Sequence, residues 1–124
     1  MTLLIVDADQ SFRESVTNLL LLSGIDKFEV AEGNSEALKK ITTTFFDFAL
    51  VDLSLPSMSG LELAQEINKH APNTKIYLMV DDREQQGPDR TILEKLNFPT
   101  ILKSLVTHTL PQLLAEELIS IPKK

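Results

Sequence analysis

At 124 residues the chain has the length of one domain, and 43% hydrophobic with 24% charged residues is ordinary for a globular protein. It contains no cysteine, which excludes disulfides, thiolate metal sites and cysteine nucleophiles. The formal net charge of −6 argues against nucleic acid as a partner, because phosphate backbones repel such a surface.

Leu3 to Val6 is a short apolar run of the kind found in strands covered on both faces, and it stops at Asp7. Phe12, Val16, Leu19 and Leu20 then recur at helical spacing, with Asp7 or Asp9 as candidate caps and Gly24 suited to the helix end. Leu19 to Leu22 cannot all face one core, so one or two of them reach a loop or a neighbouring helix, with a partner as the lesser alternative. Phe28 to Val30 reads as a second strand. Ala37, Leu38 and Ile41 mark a second helix capped by Asn34 or Ser35.

Phe48 to Val51 is a third buried run, stopping at Asp52. After a loop, Ser59 and Glu62 form a capping box for a helix with Leu61, Ala64 and Ile67 on one stripe, ending before Pro72. Lys75 to Val80 predicts a fourth strand that stops at Asp81-Asp82, and Gln85 to Pro88 predicts a loop. Ile92, Leu93 and Leu96 belong to a fourth helix, and Thr100 to Leu102 is a fifth strand ending at Lys103. Thr109 and Gln112 form a second capping box, for a last helix carrying Leu113, Leu114 and Leu118.

Strand and helix alternate throughout, without repeats or linkers, which predicts one α/β domain over residues 1–124 with a parallel sheet. No apolar run is long enough for a membrane span, and the start of the chain lacks the basic residues of a signal peptide; the expected location is the cytoplasm. His70 and His108 have no companions at metal-ligand spacing and read as surface residues.

In a parallel α/β sheet, ligands bind beyond the carboxyl ends of the strands. Asp7, Asp52, Asp81 and Lys103 all fall at that edge. Two carboxylates about 4 Å apart repel by roughly 4 kcal/mol at an effective dielectric near 20, so a cation is needed between them. Mg²⁺ prefers oxygen ligands and bridges carboxylate to phosphate. An Asp that attacks phosphorus makes an acyl phosphate, and a lysine supplies a compact charge for a phosphoryl oxygen. Asp7, Asp52 and Lys103 are the residue types this chemistry requires.

Leu3-Leu4-Ile5-Val6-Asp7 resembles the first strand of response-regulator receiver domains, and Asp52 through Leu63, with Pro56, Met58 and Gly60, resembles their phosphoacceptor loop. Lys103 stands where that family keeps its lysine, and the spacing of elements matches along nearly the whole chain. The resemblance implies a flavodoxin-like (βα)5 sandwich, with a parallel five-stranded sheet in order 2-1-3-4-5 and helices on both faces. It implies a non-enzymatic signalling module of a two-component phosphorelay. Asp52 would be the phosphoacceptor, Asp52 and Lys103 the catalytic pair, and Asp7 and Asp52 the residues that hold Mg²⁺. The implied partners are a histidine kinase or phosphotransfer protein and a downstream output protein or domain, with homodimerisation open. The chain reads either as a stand-alone receiver or as part of a longer regulator.

Several positions depart from the family pattern. Ala8 replaces the second acid after the first strand, so Mg²⁺ binding is expected to be weak. Asp81 replaces the usual Thr or Ser after the fourth strand, and Thr100 replaces the switch aromatic. Ser104 replaces a cis proline, and a trans bond is expected there, since a cis bond would cost roughly 3 kcal/mol. Ser59 replaces an acid or amide. Asp81 has two readings, a solvated turn or a metal ligand that compensates for Ala8. These departures leave a second function open, a pseudo-receiver that binds partners without phosphate. A third reading rests on the similarity of Asp7-Ala8-Asp9 to the first motif of haloacid-dehalogenase-type phosphatases, with Asp7 as nucleophile and Asp9 as acid/base.

Overall fold

The computed structural model describes residues 2–81 and 98–106. The described elements run β1 (Leu3–Val6), α1 (Gln10–Leu22), β2 (Phe28–Ala31), α2 (Asn34–Thr43), β3 (Phe48–Asp52), α3 (Gly60–His70), β4 (Lys75–Val80) and β5 (Thr100–Leu102), with a 3₁₀ turn over Lys103–Leu105. The five strands form one sheet in the order β2-β1-β3-β4-β5, and every pairing is parallel. The expected flavodoxin-like order is therefore the observed one. The fourth and fifth helical patterns and the Gln85–Pro88 loop lie outside the described residues.

Alternation along the central strands builds two cores. Leu4, Val6, Ala49, Val51, Ile76 and Leu78 face α2 and α3, where they meet Ala37, Leu63, Ala64 and Ile67. Leu3, Ile5, Phe48, Leu50 and Met79 face the other way and meet Val16 and Leu20 of α1. All residues of β1 and β3 are buried, which explains why their sequences are continuous apolar runs.

Helix ends follow local chemistry. Asp9 is the N-cap of α1, its carboxylate accepting hydrogen bonds from the Ser11 and Phe12 amides. At the other end Ile25 N–H bonds Leu20 C=O at 2.9 Å and Gly24 N–H bonds Leu21 C=O at 3.1 Å. This is a Schellman closure, and Gly24 takes the left-handed φ of 82° that it requires. Ser59 caps α3 by accepting from Glu62 N–H, as its spacing predicts.

Three expectations change. The cap position of α2 is Gly33, which offers no side-chain hydrogen bond; Asn34 and Ser35 already belong to the helix or its first turn. Leu63, not Leu61, joins Ala64 and Ile67 inside, because α3 starts at Gly60 and turns that stripe inward. In the Leu19–Leu22 run, Leu20 is buried, whereas Leu21 and Leu22 are exposed at the end of α1. Among the described residues no helix is long and apolar enough to cross a membrane.

Candidate functional site

The chain leaves β1 toward β2 on one side and returns to place β3 on the other side of β1. The carboxyl ends of β1 and β3 therefore lie together where the strand order reverses, which is where open α/β sheets bind ligands. Asp7 directly follows β1, and Asp52 is the last residue of β3. Side chains alternate along a strand. Leu3 and Ile5, Phe48 and Leu50, Tyr77 and Met79, and Ile101 all face the α1 layer. Asp7, Asp52, Asp81 and Lys103 continue the same parity, so their positions fall on one side of one edge.

Both central carboxylates are buried, Asp7 at 0% and Asp52 at 5% exposure. Lys103 Nζ lies 2.8 Å from Asp7 Oδ2 and 3.5 Å from Asp52 Oδ2. The other oxygens are used by the backbone. Asp7 Oδ1 accepts from Asp9 N–H at 2.8 Å, and Asp52 Oδ1 accepts from Ser54 N–H at 3.1 Å. Arg13 Nη1 donates to the Asp7 carbonyl oxygen at 2.6 Å, while Nη2 stands 3.5 Å from Glu32. The sharp turn is thereby held from both sides, and both carboxylates present their Oδ2 atoms to one ammonium.

Gly60 brings the start of α3 onto the end of β3. A side chain there would strike the Asp52 carbonyl oxygen and lie 2.5 Å from Leu53 Cα. Its N–H bonds Leu53 C=O at 2.8 Å. The glycine of the loop pattern is thus required by close backbone approach at the residue after Asp52.

Burial, and then the neighbouring charge of Asp7, push the Asp52 carboxyl up to about 6; the Ser54 amide and Lys103 offset only part of this. For Lys103, burial works against the charged form, but its contacts with Asp7 and Asp52 outweigh burial and hold the ammonium above the ordinary lysine value. Both shifts follow from burial and from charges held close together.

Asp7 Oδ2 is fully buried and, apart from the ion contact with Lys103, has no aligned hydrogen-bond donor. An oxygen with spare acceptor capacity, facing a second carboxylate, fits a hard divalent cation that keeps several waters. Asp7 and Asp52 are the residues that could hold it. Among the described residues no group of three or more His, Cys, Asp or Glu is arranged around a metal position. Ala8 is exposed and brings no ligand.

Asp81 follows β4 and is half-buried; since Val80 pairs with Leu102, the next register step sets Asp81 beside Lys103. Thr100 is exposed on β5. No cis peptide bond occurs among the described residues, so the Lys103–Ser104 bond is trans, as expected. Asp9, the acid/base of the haloacid-dehalogenase-like alternative, is engaged in capping α1 rather than facing the carboxylate pair. The sequence places Phe12 on the apolar stripe of α1 but gives neither it nor Arg13 a role at the site. Arg13 holds the Asp7 backbone, and the Phe12 ring lies under Lys103 Nζ, 4.6 Å from its centroid. The signal for a site role was position in the first turn of a helix that follows a strand-end acid.

Residues 3–113 match the family described as response regulator receiver domain. This chain belongs to the receiver domain family. Chemotaxis protein CheY of Listeria monocytogenes is 27% identical over 113 residues, covering 85% of this receiver and 95% of that protein. A cyclic di-GMP phosphodiesterase of Thermotoga maritima is 34% identical over 118 residues, covering 89% of this receiver but 31% of the phosphodiesterase. This receiver therefore spans about a third of that relative's length. Among solved structures, a CheY-like receiver domain protein from Methanospirillum hungatei superposes with a TM-score of 0.79 at 28% identity, covering 96% of this chain and 94% of that one. Response regulator TrrA of Thermotoga maritima, solved in complex with Mg²⁺-BeF, gives 0.77 at 29% identity, covering 94% and 98%.

Proposed function

We propose that this receiver takes a phosphoryl group on Asp52 from a phosphohistidine of a histidine kinase or phosphotransfer protein and passes the change on to an output partner. The observation that carries this reading is the convergence of Asp7 and Asp52 on Lys103 at the reversal of strand order, within 2.8 and 3.5 Å. Asp52 Oδ2 attacks phosphorus, the P–N bond to the donor histidine breaks, and the donor imidazole keeps the electron pair. Lys103 shifts from the carboxylates to a phosphoryl oxygen and offsets its charge. Asp7 and Asp52 would hold Mg²⁺, which supplies charge neutralisation between carboxylate and phosphoryl oxygens when bound. With Ala8 contributing no ligand, this binding is weak, and Ala8→Asp tightens it in calorimetry.

A second reading is favoured by Asp81. A carboxylate at the usual hydroxyl position repels an incoming phosphoryl group, which supports a module that binds partners without phosphorylation. Intact mass after incubation with acetyl phosphate and Mg²⁺ separates the two. The phosphoacceptor reading requires a gain of one phosphoryl group that is lost in Asp52→Asn. In this reading Asp81→Thr accelerates the gain. A parent that stays unmodified under conditions where Asp81→Thr reacts would identify a pseudo-receiver.

A further inference from the structure

Lys103 has a third partner besides the two carboxylates. Its Nζ stands 4.6 Å from the centroid of the Phe12 ring, within the range where a ring face attracts a cation. The ring sits in the first turn of α1 and packs on the core between that helix and the sheet. Its place is set by the same residues that build the site. Asp7 Oδ1 accepts from Asp9 N–H, and Asp9 in turn caps the helix through the Ser11 and Phe12 amides.

We propose that Phe12 is a positioning residue for Lys103, its ring face keeping the ammonium over the β1–β3 edge in reach of a phosphoryl oxygen on Asp52. The inference rests on the reading of Asp52 as phosphoacceptor. Lysine carries a point charge on a flexible stem, and nothing in the stem itself keeps that charge in place. The carboxylates do so at first. A divalent cation would compete with Lys103 for both of them, and the ring is the partner it leaves to the lysine. With that face present, the ammonium stays at the edge; without it, the side chain is free to turn toward solvent, since it is already 23% exposed.

Phe12→Leu keeps apolar bulk and removes the ring face, whereas Phe12→Tyr keeps the face. Two readouts are taken on the whole chain: the rate of acyl-phosphate formation from acetyl phosphate with Mg²⁺, and the NMR shift of the Lys103 ε-methylene without donor. We expect Phe12→Leu to slow phosphorylation about threefold to tenfold, the range of one cation–π contact, and Phe12→Tyr to stay near the parent. The ε-methylene should be displaced upfield by ring current in the parent and the Tyr variant, and should return to the position of ordinary lysines in the Leu variant. An undisplaced signal in the parent overturns the proposal. So does a Tyr variant as slow as the Leu variant, or a Leu variant as fast as the parent. Should the parent accept no phosphate, the phosphoacceptor reading fails, and the upfield displacement in the parent and the Tyr variant still tests whether the ring face lies at Lys103.

Discussion

Asp52 is stored in an unfavourable charge state. Its carboxyl is raised from 3.8 to about 6 by burial and by Asp7, so the folded form binds a proton more readily than the unfolded chain does. A raised pKa adds stability that is fully present below the unfolded value and disappears as pH climbs through the folded one. At neutral pH the ionised group therefore costs the fold, on the order of 1–3 kcal/mol. Asp52→Asn should be more stable than the parent at pH 7 in metal-free buffer, with the gap closing as pH falls from about 6 to about 4. Urea denaturation at several pH values measures this. A gap that stays constant across that range would show that desolvation of the carboxylate is not its source.

At the scale of elements, the start of α3 lies close against the end of β3. Gly60 lies against the backbone of Asp52 and Leu53, neither of which can swing aside as a long side chain would. Gly60→Ala should destabilise by about 1–3 kcal/mol, the usual cost of overpacking, and should also displace Asp52 and slow its phosphorylation. Equilibrium unfolding and the mass assay check the two effects on one variant. The sequence already contained much of this. The runs Leu3–Val6 and Phe48–Val51 carried the strands, and the acids after them, with Lys103, marked the edge at which the candidate site lies. The cap of α2 was not legible, because Asn34 and Ser35 have capping chemistry while the backbone places Gly33 at that position. Nor were Arg13 and Phe12, whose roles depend on how α1 docks over the sheet edge rather than on spacing along the chain.

For the whole molecule, the question is how far an event at Asp52 travels. β5 is an edge strand, and Thr100 is exposed on it where the family carries an aromatic switch. A small hydroxyl residue has no ring to move between an inward and an outward position, so the face around β5 lacks that link to a phosphoryl group proposed on Asp52. We expect the mass measured by light scattering to be the same with and without acetyl phosphate and Mg²⁺. A monomer-to-dimer shift on adding them would show that another route couples Asp52 to this surface.

The strand order has a further effect on the site. β1 and β3 are flanked by strands on both sides and covered on both faces, whereas β5 is three residues long and, among the described residues, bonded only to β4. Amide protection against hydrogen exchange should therefore be highest on the strands that deliver Asp7 and Asp52, and low on the one that delivers Lys103. Fraying of the sheet margin would carry the ammonium away while leaving both carboxylates in register. If exchange follows that order, the two carboxylates are held by the slowest-opening part of the sheet and the ammonium by a margin that opens locally.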